Sequence, residues 1–486
     1  MDRSIFNRLA IYPTALIAVV AVSGVASASP PRTVPTSPGN SRDQASQTIR
    51  VPQDEPTLAD AIEASTTGTL ILLDRGTYPG GDIVPEAKSG ITIRGVDRNT
   101  VVFDGEDARA NALVIEADDV TVENMTAHNY VGNGFYWTGV EGYAGRYLTV
   151  WNVGLYGIYA IESRGGVFEH SYVSGAADAA FYIGECNPCD AVVANVTARL
   201  SAVGYSGTNA GGNLEVRDSI WELNGTAIMP NSYEGQPLPP PQRSSTISRN
   251  TIRDSNAQPV PANSPLAGFV GVGIAIAGGW ENIVEDNEIS GSAAYGIALF
   301  PTLQPSGNDI TPQLNVIRGN TISDSGTADL GVATGSADTN CFVDNSFTSS
   351  LPADIETVLP CEGESDSDGD DQVLGDLGIP VPEALDRLGP RPPYTEMPAP
   401  DNQPNMPGAV ASPSGDPSPT TASETDSPAT GRPGTSSPSA TTTPDEAPPT
   451  AADSTGTFAG LGLVLAILVA AGALVLIWQR RQGSAK

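Results

Sequence analysis

The stretch GLYGIYAIES, residues 154–163, decides how this chain is read. Its Tyr159 lies 23 residues after Tyr136, in GNGFYWTG, and 23 before Tyr182, in DAAFYIGE. A further 23 residues on comes Tyr205, in AVGYSG. Around each tyrosine the pattern alternates over four to six residues, which suits a strand and is too short for a helix.

The same design pervades residues 48–363. One set of segments reads GNGFYWTG, LYGIYAIE, ADAAFYIG, GVGIAIAG, AYGIALFP and DLGVATGS. Another reads VTVENMTA, LTVWNVGL, TISRNTIRD, IVEDNEISG, VIRGNTISD and CFVDNSFTS. Helical patterns are almost absent between Gly68 and Ser349. Short strands returning at one coil length, without helices between them, build a parallel β-solenoid. A β-sandwich expects hairpin turns and gives no reason for a fixed 23-residue register. In the solenoid Ile158, Phe181, Ile274 and Ile297 point inward. Asn250, Asn287, Asn320 and Asn345 recur at one turn, where asparagine tolerates left-handed backbone and its amide bonds the next coil.

The opening of this region, TLADAIEASTTGTLILLDRGTYPGGDIVPEAKSGITIRGVDRNTVVFDG at Thr57–Gly105, resembles right-handed parallel β-helix proteins of the pectin-lyase-like superfamily. The resemblance implies a short amphipathic helix at Leu58–Ala64 capping the coil stack, with GTY, ITIRG and VVFDG in the first rungs. It covers most of residues 48–350 and is specific for fold, not for activity. The superfamily includes pectate lyases, polygalacturonases, pectin methylesterases, alginate epimerases and lyases, and non-catalytic surface proteins. The paired aspartates and R-I-K of polygalacturonases are missing as a set, as are the Q-D-T-L and D-F-I-F-G strands of pectin methylesterases and the W-x-D-H of pectate lyases. The sequence therefore leaves open whether the protein is an enzyme. The β-helix proteins that assist copper-site assembly in nitrous oxide reductase give a third reading, poorly supported by five methionines and two histidines.

Residues 23 apart stack one rung apart, about 4.8 Å in a sheet. With Ile158 and Phe181 inward, Tyr136, Tyr159, Tyr182 and Tyr205 are expected to face outward in one column. Such a column either stacks on sugar rings, with hydroxyls as hydrogen-bonding handles, or stiffens the coil stack. Three places after two of the tyrosines come Glu162 and Glu185, adjacent carboxylates on successive rungs, with Asp178 near enough in sequence to complete an acidic patch. Glu141 and Arg164 offer an ion pair across one rung. Stacked carboxylates need a cation, a proton or an arginine, so the patch is a candidate for calcium, for acid and base roles, or for a solvated face. His128 and His170 sit where neighbouring coils carry turn residues and read as stacking positions. Cys186 and Cys189, in GECNPCD, are expected to form a small disulfide, and Cys341 and Cys361 another that ties down the last loop.

Outside the solenoid the chain changes character. Residues 1–28 read as a secretory signal peptide, with Arg3 and Arg8, an apolar run from Leu9 to Val25, and ASA at Ala26–Ala28. A linker, 29–47, follows. Residues 364–456 read as an acidic and then Pro/Ser/Thr-rich disordered stalk. In it Asp366, Asp368 and Asp370 alternate like calcium ligands, but counting from Glu364 the twelfth place is Gly375, so the closing glutamate of an EF-hand is missing. Residues 457–479 read as one transmembrane helix, whose charge-free run of 21 is Phe458–Trp478, and residues 480–486 as a cytoplasmic tail headed by Arg480 and Arg481. ADSTG lacks the leucine and proline of a sortase signal, which favours a retained span over wall attachment. A net charge of −32 argues against nucleic acid as a partner. The expectation is a monomeric, membrane-anchored surface protein that binds extracellular or cell-wall polysaccharide, with a lyase, hydrolase or epimerase as the alternative.

Overall fold

The structure is a computed structural model that describes residues 47–262, 271–333, 339–362 and 390–409. The signal peptide, nearly all of the linker and the 457–486 membrane span and tail lie outside the described residues.

Strand after strand pairs in parallel with its counterpart on the next coil, giving a twenty-stranded and an eleven-stranded sheet that share one apolar interior. The eleven-stranded sheet forms face 1 of the coil. The twenty-stranded sheet bends into faces 2 and 3 along a column of left-handed residues that includes Asn124 (φ 60), Tyr147 (φ 51), His170 (φ 51), Asn195 (φ 54) and Asp218 (φ 51). A second such column, Asn129 (φ 59), Asn152 (φ 52) and Gly175 (φ 67), ends face 3. The left-handed region is open to asparagine and glycine at little cost, which explains their recurrence. His170 is thus a turn residue, stacked on Tyr147. His128 instead lies on face 3, stacked on Trp151 at 4.5 Å and 3.7 Å from an Asp104 carboxylate oxygen.

Each coil adds several side chains to the interior. On face 1 the register aligns Leu113, Phe135, Ile158, Phe181, Tyr205, Ile228, Ile274, Ile297 and Leu330. Each is buried, and burying an aliphatic or aromatic side chain contributes about 1.5–3 kcal/mol. A polar ladder runs along the turn between faces 2 and 3. Asn250 donates to Asn287 (3.0 Å), Asn287 to Asn320 (2.9 Å), Asn320 to Asn345 (2.9 Å), and Asn345 to Glu356 (2.9 Å). Each link satisfies a buried amide that would otherwise cost roughly 1–3 kcal/mol. On face 2 the outward column alternates in charge, Arg94, Glu123, Arg146, Glu169, with Arg94–Glu123 at 2.5 Å and Arg146–Glu169 at 2.6 Å. Helix Leu58–Ala64 lies against the first coils, its Leu58, Ala61 and Ile62 buried and its N-terminus capped by the Thr57 hydroxyl. Disulfides join Cys186 to Cys189 and Cys341 to Cys361.

One region departs from the composition-based reading. Residues 390–409 fall within the expected disordered stalk, yet they lie against the β-helix. Gln403 and Asn99 exchange two hydrogen bonds of 2.9 Å, the Met406 N–H donates to Asn124 Oδ1 (3.0 Å), and the Arg98 N–H donates to Asn405 Oδ1 (2.6 Å). Proline-rich composition excludes a hydrophobic core, but it does not prevent an extended chain from docking on one that already exists.

Candidate functional site

Tyr136, Tyr159 and Tyr182 do stand in one outward column on face 1, paired in register. Their ring faces are turned on one another. Tyr136 stacks on Tyr159 at 4.5 Å, Tyr156 stacks on the other side of the group at 4.5 Å from Tyr159, and Tyr182 meets Tyr159 edge-on at 5.0 Å. The three column tyrosines are only 7%, 9% and 6% exposed. The ring surface that a sugar platform needs is therefore spent inside the cluster. Tyr182 is further pinned where its ring lies over Gly184, since a methyl group at that position would overlap the ring.

Tyr205 is not part of the column. Between Phe181 and Tyr205 the coil advances 24 residues rather than 23, so Tyr205 pairs with Phe181 and Ser206 takes the place over Tyr182. A shift of one residue turns a side chain to the opposite face of a strand. Tyr205 accordingly lies in the interior, 1% exposed, edge-on to Trp221 at 6.5 Å. The lengthening belongs to the coil that carries the Cys186–Cys189 turn, where the other two faces advance 25.

The acidic patch also divides. Glu162 and Glu185 are neighbours on successive coils, both in the left-handed region at the end of their strands. Asp178 precedes strand Ala179–Gly184 and Glu185 follows it, so their backbones are seven residue rises apart, about 23 Å at 3.3 Å per residue. Carboxylates that share a glycosidic bond lie roughly 5–9.5 Å apart, so these cannot divide acid and base roles between them. Among the described residues no group of three or more His, Cys, Asp or Glu side chains is arranged to hold a metal ion, so the described patch offers calcium no cage. Glu162 is exposed, and Arg164 sits 3.8 Å from Glu141 on the surface. Glu185 is buried. Its Oε2 accepts from the Leu238 N–H at 3.0 Å, its Oε1 has no hydrogen-bond partner among the described residues, and burial, with Glu162 adding, lifts its carboxyl to about 7. It serves as a latch for the chain around Leu238, which also accepts from Asn209 Nδ2 at 2.8 Å.

Chemistry concentrates at Asp178. The Tyr156 hydroxyl hydrogen-bonds its carboxylate, which favours the ionised form, but burial outweighs this and raises the group to about 6. Beside it a hollow of about 40 Å³ opens between coils, walled by Tyr156, Tyr182, Met229 and Val203 and edged by Ser206, Thr208 and Asn231. Asn231 donates to Ser206 Oγ at 3.1 Å, Thr208 donates to Asn231 Oδ1 at 3.0 Å, and Thr208 also hydrogen-bonds the Tyr182 hydroxyl. A space of this size takes a water or one hydroxyl group rather than a whole sugar ring. Its lining combines aromatic and apolar side chains with hydroxyl, amide and carboxyl groups.

Counting tyrosines by 23 found Tyr159 and Tyr182 but passed over Tyr156, three places earlier in the same stretch. Ser206, Thr208 and Asn231 carried no sequence signal, because their positions depend on the irregular coil lengths before them.

A family model described as "Right handed beta helix region" matches residues 133–300 and 224–353. With the parallel coils described above, the match makes the fold a right-handed parallel β-helix. No curated protein matches. Among solved structures, the A-module of mannuronan C-5 epimerase AlgE4 from Azotobacter vinelandii is 17% identical, with a TM-score of 0.43 over 59% of this chain and 88% of that one. An alginate lyase from Paenibacillus sp. str. FPU-7 is 11% identical, with a TM-score of 0.40 over 62% of this chain and 100% of that one. The Dettilon tailspike protein is 13% identical, with a TM-score of 0.40 over 61% and 62%.

Proposed function

We propose that this protein is a secreted, membrane-tethered surface protein that binds an extracellular polysaccharide on face 1, at the Asp178 hollow. One observation carries the reading: a carboxyl raised to about 6 and hydrogen-bonded by Tyr156 shares one hollow with the Tyr156 and Tyr182 rings and with Ser206, Thr208 and Asn231. Carbohydrate sites combine an aromatic wall with a few placed polar groups. Here the tyrosine cluster acts as the rigid wall and presents ring edges and hydroxyls. Tethering rests on the charge-free run Phe458–Trp478 followed by Arg480 and Arg481.

A second reading is supported by the same carboxyl. A group that titrates near 6 is poised to give and take protons close to neutral pH, which suits a polysaccharide lyase, hydrolase or epimerase. Mass analysis of polysaccharides incubated with the protein separates the two. Unsaturated or hydrated fragments that disappear in Asp178→Asn establish turnover. Retention of the intact polymer, without fragments and without a change in the configuration of its sugar residues by NMR, establishes binding. Absence of both retention and fragments across acidic and neutral polymers overturns the proposal.

A further inference from the structure

Arg98 is out of place for a surface arginine. It lies outside the coil, above Thr126 and Thr149 of face 3, yet it is only 2% exposed. Its guanidinium donates to the Thr149 hydroxyl (2.7 Å) and to the carbonyls of Leu148, His170 (3.2 Å) and Pro404 (3.2 Å). No carboxylate is among these partners, and burial draws the group down to about 10. A buried cation so held is costly unless every donor is met, and Pro404 meets one of them. What covers it is the 390–409 segment.

That segment reads PRPPYTEMPAPDNQPNMPGA, and its backbone at Pro393 (φ −64, ψ 147) and Met397 (φ −72, ψ 144) is polyproline-like. Such a chain is already extended before it docks, so docking orders little that was free. Its side chains fit the coil turns. Met397 is buried against Gly175, where a methyl group would lie 2.9 Å from Met397 Cβ, and Tyr394 lies over Gly154. From there the chain runs toward the amino-terminal coils, where Gln403, Asn405 and Met406 bond Asn99, Arg98 and Asn124.

We propose that residues 390–409 are a clamp. This part of face 3 is a groove for an extended proline-rich peptide, filled in cis, and the docked strap moves the departure point of the chain after Ala409 to the amino-terminal coils. A pull on that chain then loads the strap's contacts before it loads the last coil. The departure point also lies on a face other than the one bearing the Asp178 hollow.

Hydrogen exchange on the full chain tests this. Amides of the 394–406 peptide, including the Gln403 and Met406 N–H groups, should exchange at least ten-fold more slowly than the same peptide in denatured protein. Met397→Asp with Asn405→Ala, which alters the strap and leaves the coil residues intact, should bring them to the denatured rate while residues 158–161 of face 1 stay protected. Spin labels at Gly408→Cys and Asp97→Cys should lie within about 20 Å. Labels at Gly408→Cys and Asp344→Cys should lie near the nine coil rises between those strands, about 43 Å. Strap amides that exchange at the denatured rate in the unaltered chain, strap protection that survives the double substitution, or a 408 label closer to 344 than to 97 would each overturn the proposal.

Discussion

Two carboxyls show how burial, rather than neighbouring charge, sets the chemistry of single residues here. Glu185 is raised from 4.5 to about 7, so the folded state holds a proton that the unfolded chain releases between those values. Stability therefore falls as pH rises through that window and is lowest above 7. Glu185→Gln keeps an acceptor for the Leu238 N–H, removes the buried charge, and should stabilise the protein at pH 8 by about 1–3 kcal/mol while changing little at pH 4. Denaturant unfolding at the two pH values reads this, and a wild-type slope in the variant would contradict it. For Asp178 the corresponding titration near 6 should appear in ligand affinity, and Asp178→Asn should flatten the affinity–pH curve between pH 5 and 7. The sequence showed both residues as acidic neighbours of tyrosines. It gave no sign that one would be a latch and the other the mouth of a hollow, because burial depends on chain from distant coils, such as Leu238 and Met229.

At the scale of elements the sequence was most legible where coils repeat without change. Ile158, Phe181, Ile274 and Ile297 lie in the interior, and Asn250, Asn287, Asn320 and Asn345 form one hydrogen-bonded ladder. Legibility ended where a coil changes length. The same 23-residue count that correctly placed Tyr159 misplaced Tyr205, since a strand converts an error of one residue into the opposite face. The two tyrosines should accordingly respond differently. Tyr205→Ala empties a buried site and should cost about 3–5 kcal/mol. Tyr136→Ala removes one end of a stacked cluster, worth about 0.5–1.5 kcal/mol beyond its area, and should cost less. Equal losses for both in denaturant melts would contradict the assignment. In the ladder, Asn287→Ala takes the acceptor from the Asn250 backbone N–H and one of the two acceptors of its side-chain amide, while Asn320 Oδ1 keeps the backbone N–H of position 287, and a loss on the order of 1–3 kcal/mol is expected.

For the whole molecule, three faces carry three different surfaces: tyrosines and the Asp178 hollow on face 1, an alternating charge column on face 2, and the docked strap on face 3. Along face 2 arginines alternate with carboxylates, so stacked coils meet opposite charges there. Composition read the strap as stalk because it scores what a segment can bury by itself, and residues 390–409 bury what other coils provide. The central claim is that the hollow, not the tyrosine faces, meets the ligand. Its most direct test is polysaccharide binding by Ser206→Trp, a rim substitution that fills the hollow from outside the coil, beside Tyr136→Ala, with thermal melts confirming that both fold. The account predicts at least ten-fold weaker binding for Ser206→Trp and near-unchanged binding for Tyr136→Ala. Full binding by Ser206→Trp, with binding lost in Tyr136→Ala, would contradict it and return the site to the tyrosine column.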